Sequence, residues 1–210
     1  MNTPRFASTL ARCRNLILAG CLLPTLAMAH PGHYHPGEKD EFDTLASGVL
    51  HPFSGSDHLL IALAAGAIAM AMGKRLGLAA AASFLAALAA GSFIGHGMVT
   101  GAALEAAIAC TLLATGTGLL AGRVPPLALL NAVLALIGGI HGFAHGAEAP
   151  AGFSLVMLAV GLVAGTAVLM GLGAVLQQAL VSSRRAWAPR LAGALLASVG
   201  VVSLLHNSIT

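Results

Sequence analysis

Charged residues are scarce in this sequence of 210 residues: only 8% are Asp, Glu, Lys or Arg, whereas 58% are hydrophobic. A soluble domain carries about 25% charged residues, so the composition excludes a soluble globular protein and favours the lipid bilayer as solvent. The formal net charge is only +3, and the Lys and Arg residues are scattered at loop positions instead of forming a patch. This distribution argues against a nucleic-acid partner.

Cysteine is also scarce, with only Cys13, Cys21 and Cys110 in the chain. The first two lie in an N-terminal leader, and the third lies alone in an apolar segment. The sequence therefore predicts no disulfide framework.

Residues 1–29 predict a secretory signal peptide. Three arginines give the positively charged start, residues 16–26 are apolar, and Ala27-Met28-Ala29 forms an A-x-A cleavage site. Two alternatives remain open. Leu18-Ala19-Gly20-Cys21 resembles a lipoprotein cleavage box, although the apolar stretch before Cys21 is short, and the leader could also remain as an uncleaved first helix.

Residues 30–44 predict a His-rich, acidic and flexible extracytoplasmic arm, because Pro and Gly interrupt a polar segment. His30, His33 and His35 place three imidazoles within six residues, and such tracts can collect metal ions. A solvated linker that binds no metal is the alternative.

Residues 45–210 predict one domain, an all-α membrane protein built as a six-transmembrane-helix bundle after a cleaved signal peptide. Each apolar stretch is close to the roughly 20 residues that a helix needs to cross a bilayer. The stretches run at about 45–72, 76–95, 98–121, 124–143, 151–180 and 190–207.

The distribution of positive charge predicts the orientation of these spans. With the leader removed and the N-terminus outside, the outer segments hold only Lys39, and the inner loops hold the other basic residues. This bias predicts an inner-membrane protein with both mature termini in the periplasm. The inner residues are Lys74, Arg75, Arg123, Arg184, Arg185 and Arg190.

Glycines spaced four residues apart recur along the spans and predict close helix packing. The pairs are Gly91/Gly95, Gly97/Gly101, Gly118/Gly122, Gly138/Gly142 and Gly161/Gly165.

The His and acidic residues after residue 44 share one depth on this topology, in the outer half of the membrane or just beyond it. Ionisable residues inside a membrane are expensive and mark functional sites, so a common depth predicts a common site. They are His51, Asp57, His58, His96, Glu105, His141, His145, Glu148 and His206.

The spacing of these residues favours a metal site. Pro52 and Gly55 predict a break in the first span, which would let Asp57 and His58 point inward together. His141 and His145 are four residues apart and share one helix face, and Glu148 follows. A carboxylate well inside a span also needs a partner, which makes Glu105 a candidate. Imidazole with carboxylate suits nickel, cobalt or zinc, whereas Mg²⁺ and Ca²⁺ favour oxygen ligands alone.

The predicted ligands are therefore His51, Asp57, His58, Glu105, His145 and Glu148. Four further candidates have structural alternatives: an interfacial role for His96, helix packing for His141 and simple solvation for the arm residues His33 and His35.

The stretch His51-Pro-Phe-Ser-Gly-Ser-Asp57-His58 resembles the H-P-x-x-G-x-D-H signature of the HupE/UreJ family of nickel permeases. The stretch His141-Gly-Phe-Ala-His145-Gly-Ala-Glu148 is similar to the second motif of that family. The first motif is specific, the second is supportive, and the similarity covers essentially residues 30–210. It implies uptake of nickel, or of cobalt, for metalloenzymes such as hydrogenase or urease. It also implies that His51, Asp57, His58, His145 and Glu148 are the functional set.

These observations predict a permease and not an enzyme, with Ni²⁺ or Co²⁺ as transported substrate and no tightly bound cofactor. The sequence contains no phosphate-binding G-x-x-x-x-G-K-[ST] loop that would make it an ATP-driven pump. The main alternative is an intramembrane metal-dependent hydrolase, in which the metal activates water; a metal sensor or chaperone subunit is a third. The expected partners are the metal ion and the lipid bilayer, and assembly into a homo-oligomer remains open.

Overall fold

The structure is a computed structural model that describes residues 41–122, 125–182 and 187–207. The signal peptide, the arm residues His33 and His35, and Arg123, Arg184 and Arg185 lie outside the described residues. Within the described ranges the chain forms helices and no strands. The helices are α1 (Glu41–Ser54), α2 (Ser56–Ala71), α3 (Lys74–Gly95), α4 (Ala102–Ala121), α5 (Leu127–Ala147), α6 (Leu155–Ser182) and α7 (Ala188–Asn207).

Five of these helices, α3 to α7, are long and apolar enough to cross a membrane. Helices α1 and α2 pass the same test only as a pair, and they meet at a bend of 83°. The described residues therefore hold five candidate spans, or six if the bent pair is one broken span. The all-helical membrane architecture agrees with the sequence, and the count of six remains a prediction.

The predicted break in the first span is confirmed at Gly55. Helix α1 ends at Ser54, Gly55 is extended with φ −93° and ψ 124°, and α2 begins at Ser56. Pro52 lies buried near the end of α1, where its missing N–H and its ring oppose further helix. The break leaves His51 in the last turn of α1 and Asp57 in the first turn of α2.

Two helix boundaries differ from the predicted spans and change where site residues lie. Helix α4 begins at Ala102 and not near residue 98, after Gly97 adopts the left-handed φ of 76°. Glu105 therefore lies in the first turn of its helix, and the prediction that it lies well inside a span is wrong. Helix α5 continues to Ala147, past the predicted end at residue 143, so His145 lies on the same helix as His141.

The helices associate mainly in three groups, α3 with α5, α4 with α7, and α6 with both α1 and α2. A shared core joins the groups, because each helix from α2 to α7 contributes to one buried apolar cluster. Its members include Ile61, Phe84, Leu112, Leu134, Leu169 and Leu196.

Close packing at glycines is confirmed for three of the five predicted pairs. A methyl group at either member of Gly91/Gly95, Gly138/Gly142 or Gly161/Gly165 would overlap the backbone of a neighbouring helix. The other two pairs, Gly97/Gly101 and Gly118/Gly122, have nothing within 4 Å of such a methyl. The confirmed pairs hold α5 against α3 and α6 against α1, and these contacts position the helices that carry the His residues.

Replacing Gly142 by Ala is expected to destabilise the protein and to reduce its function. The new methyl would meet the carbonyl of Leu88 on α3, so α5 must move away and carry His141 and His145 with it. Overpacking costs about 1–3 kcal/mol in general, and a clash with backbone falls at or above that range. Thermal unfolding of the purified protein in detergent measures the loss.

Gly139 on the same helix provides the matched control, because a methyl there lies 3.9 Å from the carbonyl of Ala87, in ordinary contact. Gly139→Ala should leave stability unchanged or raise it by up to about 1 kcal/mol, since Ala favours helix over Gly. Equal stability of the two variants would contradict the close packing of α3 and α5.

Candidate metal centre

The broken first span and the end of α5 bring the two sequence motifs together. His51 comes from the last turn of α1, Asp57 and His58 follow the break at the start of α2, and α5 carries His141 and His145. Glu148 is the residue that caps the C-terminal end of α5. Residues 83 or more positions apart in sequence therefore meet, which neither motif alone would reveal.

Three of these side chains form a group with metal-binding geometry. One ligand atom from each of His51, His145 and Glu148 lies within 4.8 Å of the other two. His51 and Glu148 are exposed, and His145 is half-buried. Two imidazole nitrogens and one carboxylate oxygen suit borderline divalent transition metals, and the exposure of two members leaves the group open at the surface of the protein.

From this outer group, a continuous row of imidazole rings leads into the protein. The ring centroids of His51 and His145 are 4.7 Å apart, those of His145 and His58 are 4.6 Å apart, and those of His58 and His141 are 5.4 Å apart. His58 and His141 are each only 1% exposed. The row therefore extends from the accessible surface to the interior of the bundle.

Two threonines anchor the buried end of this row. The Nε2 atom of His58 lies 2.9 Å from the hydroxyl of Thr166 on α6, and the Nε2 atom of His141 lies 3.0 Å from the hydroxyl of Thr111 on α4. The Thr111 hydroxyl donates its proton to the carbonyl of Ile108 at 2.7 Å. It must therefore accept from His141, so the Nε2 atom of His141 carries the proton and Nδ1 carries the lone pair.

The two remaining carboxylates place negative charge around Glu148. Although the Glu148 side chain is exposed at the surface, partial burial of its carboxyl group raises its pKa, and the neighbouring Glu105 and Asp57 carboxylates raise it further. The repulsion of Glu148 by these two carboxylates is unfavourable on its own. A bound dication would relieve that repulsion, since it supplies the charge that the cluster lacks.

The other predicted residues belong neither to the outer group nor to the row of imidazoles, or they are not described. Glu105 is exposed in the first turn of α4 and contributes through its charge. His96 is the exposed residue that ends α3, and His206 is exposed in the last turn of α7. His33 and His35 precede the described residues.

Thr111 and Thr166 are the residues that the sequence did not single out. Each is a Thr within a long apolar helix, where hydroxyl groups commonly bond back to their own helix. Thr111 does so as well as contacting His141, and Thr117 bonds only to carbonyls of its own helix, so the placement of the imidazoles is what distinguishes Thr111 and Thr166 from Thr117.

Comparison with known proteins agrees with the two motifs. The family model described as HupE / UreJ protein matches residues 18–203. Protein HupE from Rhizobium leguminosarum bv. viciae is 31% identical over 189 residues, which cover 90% of this chain and 95% of that protein. No solved structure matches the chain.

Proposed function

We propose that this chain, which belongs to the HupE / UreJ protein family, is an inner-membrane permease that takes up a divalent transition-metal ion. The observation that carries the proposal is the outer group of His51, His145 and Glu148, continued inward by His58 and His141. An ion that enters at the exposed end meets imidazole and carboxylate ligands in the outer group and further imidazoles inward, and a row that continues into the bundle suits passage better than storage.

The ligand types limit which ions the site can bind, and the family resemblance limits the choice further. Imidazole with carboxylate favours Ni²⁺, Co²⁺ or Zn²⁺ over Mg²⁺ or Ca²⁺. Nickel is the proposed substrate, with cobalt as the second ion, because the resemblance of the two motifs is to nickel permeases. The proposed role is the supply of metal for maturation of enzymes such as hydrogenase or urease.

Electrical energy is sufficient to drive such uptake. Each elementary charge that moves inward across 100 mV gains about 2.3 kcal/mol, so a dication gains roughly twice that amount. The site must therefore remove water from the ion and hold it only transiently. The protein need not act as an enzyme or as an ATP-driven pump to do this.

We also propose that α1 and α2 form one broken span, which gives six spans in total. Both helices pack on the 28-residue helix α6 in succession. Gly48 of α1 lies against Leu158 near the start of α6, and Gly66 of α2 lies against Met170 further along it. Two short helices that follow one long helix in this order together cover the length of a span.

Six spans after a cleaved signal peptide would place both mature termini, and the metal centre, on the periplasmic side. The arm at residues 30–44 would then hold His33 and His35 on the side from which the ion enters, where they could raise its local concentration.

Reporter fusions are expected to confirm this orientation. A reporter attached after Arg75, Arg123 or Arg185 should indicate the cytoplasm, and one attached at Thr210 should indicate the periplasm, because the basic residues are concentrated on the predicted inner loops. Paired alkaline phosphatase and green fluorescent protein fusions at each position provide opposite readouts. A cytoplasmic C-terminus would contradict the outward-facing site.

The proposed activity is tested by uptake of radioactive nickel into cells that express the chain. Expression should increase accumulation, unlabelled cobalt should compete more strongly than magnesium, and cells with an empty vector provide the baseline. Accumulation equal to that baseline, at confirmed membrane abundance, would argue against transport.

A further inference from the structure

A series of hydrogen bonds connects α6 to the outer metal group through buried imidazoles. The hydroxyl of Thr166, which is fully buried, lies 2.9 Å from Nε2 of His58. The other ring nitrogen of His58, Nδ1, lies 2.7 Å from Nε2 of His145. The series ends at Nδ1 of His145, which is buried and has no hydrogen-bond partner among the residues that the structure describes.

Proton counting allows two arrangements of this series. A neutral imidazole has one N–H donor and one lone pair, so a single proton lies between His58 and His145. In the outward arrangement, His145 donates from Nε2 to His58, His58 donates from Nε2 to Thr166, and Nδ1 of His145 keeps a lone pair. In the reverse arrangement, Thr166 donates to His58, His58 donates to His145, and Nδ1 of His145 carries a proton.

Only the outward arrangement prepares His145 to bind a metal ion. A metal needs the lone pair of a ring nitrogen, and metal-binding His residues usually donate from their other nitrogen to a fixed acceptor. The reverse arrangement leaves the buried N–H of His145 without an acceptor among the described residues, and the outward arrangement leaves the buried O–H of Thr166 without one, so the two carry a similar cost. The requirement of a metal ion for the lone pair on Nδ1 is therefore what favours Thr166 as the acceptor that ends the series.

We infer that Thr166 is a positioning residue of the metal site, which acts through His58 to fix the nitrogen that His145 presents to the ion. This inference rests on the proposed metal-transport function. In this arrangement both nitrogens of His58 are used in hydrogen bonds, so while the ion is held by the outer group His58 orients His145 and is not itself a ligand; it can meet the ion only after these hydrogen bonds break. Thr111, whose hydroxyl donates to the carbonyl of Ile108, accepts from His141, so a Thr acceptor behind an imidazole has one precedent in this bundle.

Two substitutions of Thr166 separate positioning from packing. Thr166→Val keeps the shape and removes the hydroxyl, whereas Thr166→Ser keeps the hydroxyl and removes a methyl. We expect Thr166→Val to raise the half-saturating metal concentration for uptake about 10- to 100-fold, the range found when a partner behind a metal ligand is lost. The maximal rate should change by less than about twofold, and Thr166→Ser should restore wild-type behaviour.

The matched control is Thr117→Val, because the Thr117 hydroxyl is exposed and bonds to Leu113 and Ala114 of its own helix. Its uptake should equal that of the wild type. Wild-type uptake by Thr166→Val would overturn the inference. A loss of uptake in Thr166→Ser but not in Thr166→Val would also overturn it, because that pattern indicates that the methyl group matters for packing and the hydroxyl does not.

A readout without metal separates this inference from the proposed function. Nitrogen-15 NMR of imidazole-labelled, metal-free protein in detergent should show His145 protonated at Nε2. In Thr166→Val the His58 proton loses its acceptor, so the proton of His145 should move to Nδ1. A wild-type His145 protonated at Nδ1, or an unchanged tautomer in Thr166→Val, would overturn the positioning role even if the wild type transports nickel. If the protein shows the expected tautomers but takes up no metal, the positioning role of Thr166 stands and only the proposed transport function is refuted.

Discussion

Replacing His145 by Asn is expected to reduce metal uptake more than any other single change in the outer group. His145 belongs to the three-residue group with His51 and Glu148, and its ring also contacts His58. The substitution removes a ligand and interrupts the row of imidazoles at the same point. The loss of apparent affinity should exceed the roughly 10- to 100-fold effect of losing a partner behind a ligand.

The measurement is nickel uptake at several concentrations, normalised to the amount of protein in the membrane. His206→Asn provides the control, because it makes the same chemical change in the last turn of α7, outside the cluster. Wild-type kinetics in His145→Asn would remove the outer group from the transport route. A folding defect would be visible as a lower unfolding temperature, which His145→Asn should not show beyond the control.

Removing negative charge at Asp57 and Glu105 is the second change with a large expected effect. Asp57→Asn and Glu105→Gln should each abolish uptake while the protein still inserts, because both keep size and hydrogen-bonding capacity and remove only the charge. A dication that leaves water requires compensating charge, since burial of an unpaired ion is very unfavourable. Neutral imidazoles supply lone pairs but no net charge, so the carboxylates must supply it.

The placement of the two carboxylates supports a shared electrostatic role. Both are close enough to Glu148 to raise its pKa, although Glu105 itself is exposed. Asp43→Asn, at an exposed position in the first turns of α1, is the control for loss of one negative charge away from the site. Uptake by both amide variants at the wild-type rate would show that the two residues only pack or solvate the helix ends.

Much of the site could be predicted because its determinants are local in sequence. Pro52 and Gly55 predict a break in the helix regardless of which helices surround it, and the structure has that break at Gly55. The spacing of His141 and His145 likewise predicts one helix face without knowledge of the neighbours. A shared depth of the polar residues is predicted in the same way, from the length and expected orientation of the apolar stretches, and it stays a prediction.

The remaining features depend on contacts between helices, which periodicity does not reveal. The 83° bend between α1 and α2 brings His51 beside His145, and nothing in the local sequence predicts that angle. The roles of Thr111 and Thr166 depend on which helices lie next to α5 and α2. The predicted start of α4 near residue 98 is too early because Met98 and Val99 are apolar and continue the hydrophobic stretch, and Glu105 therefore lies nearer to the helix end than expected.

The glycine pairs illustrate the same limit. All five have identical spacing, yet only those at α3–α5 and α1–α6 contacts are closely packed. A Gly-xxx-Gly pattern permits close approach of a second helix, but the presence of that helix is decided by the whole bundle.

Metal entry into sealed vesicles tests the central claim most directly. Purified protein would be reconstituted into liposomes that contain a nickel-sensitive fluorescent indicator, with a potassium gradient and valinomycin to set the membrane potential. The account predicts Ni²⁺ entry that is faster with a negative interior, that Co²⁺ slows, and that His145→Asn removes. Entry no faster than in protein-free liposomes, with correctly folded and inserted wild-type protein, would contradict it.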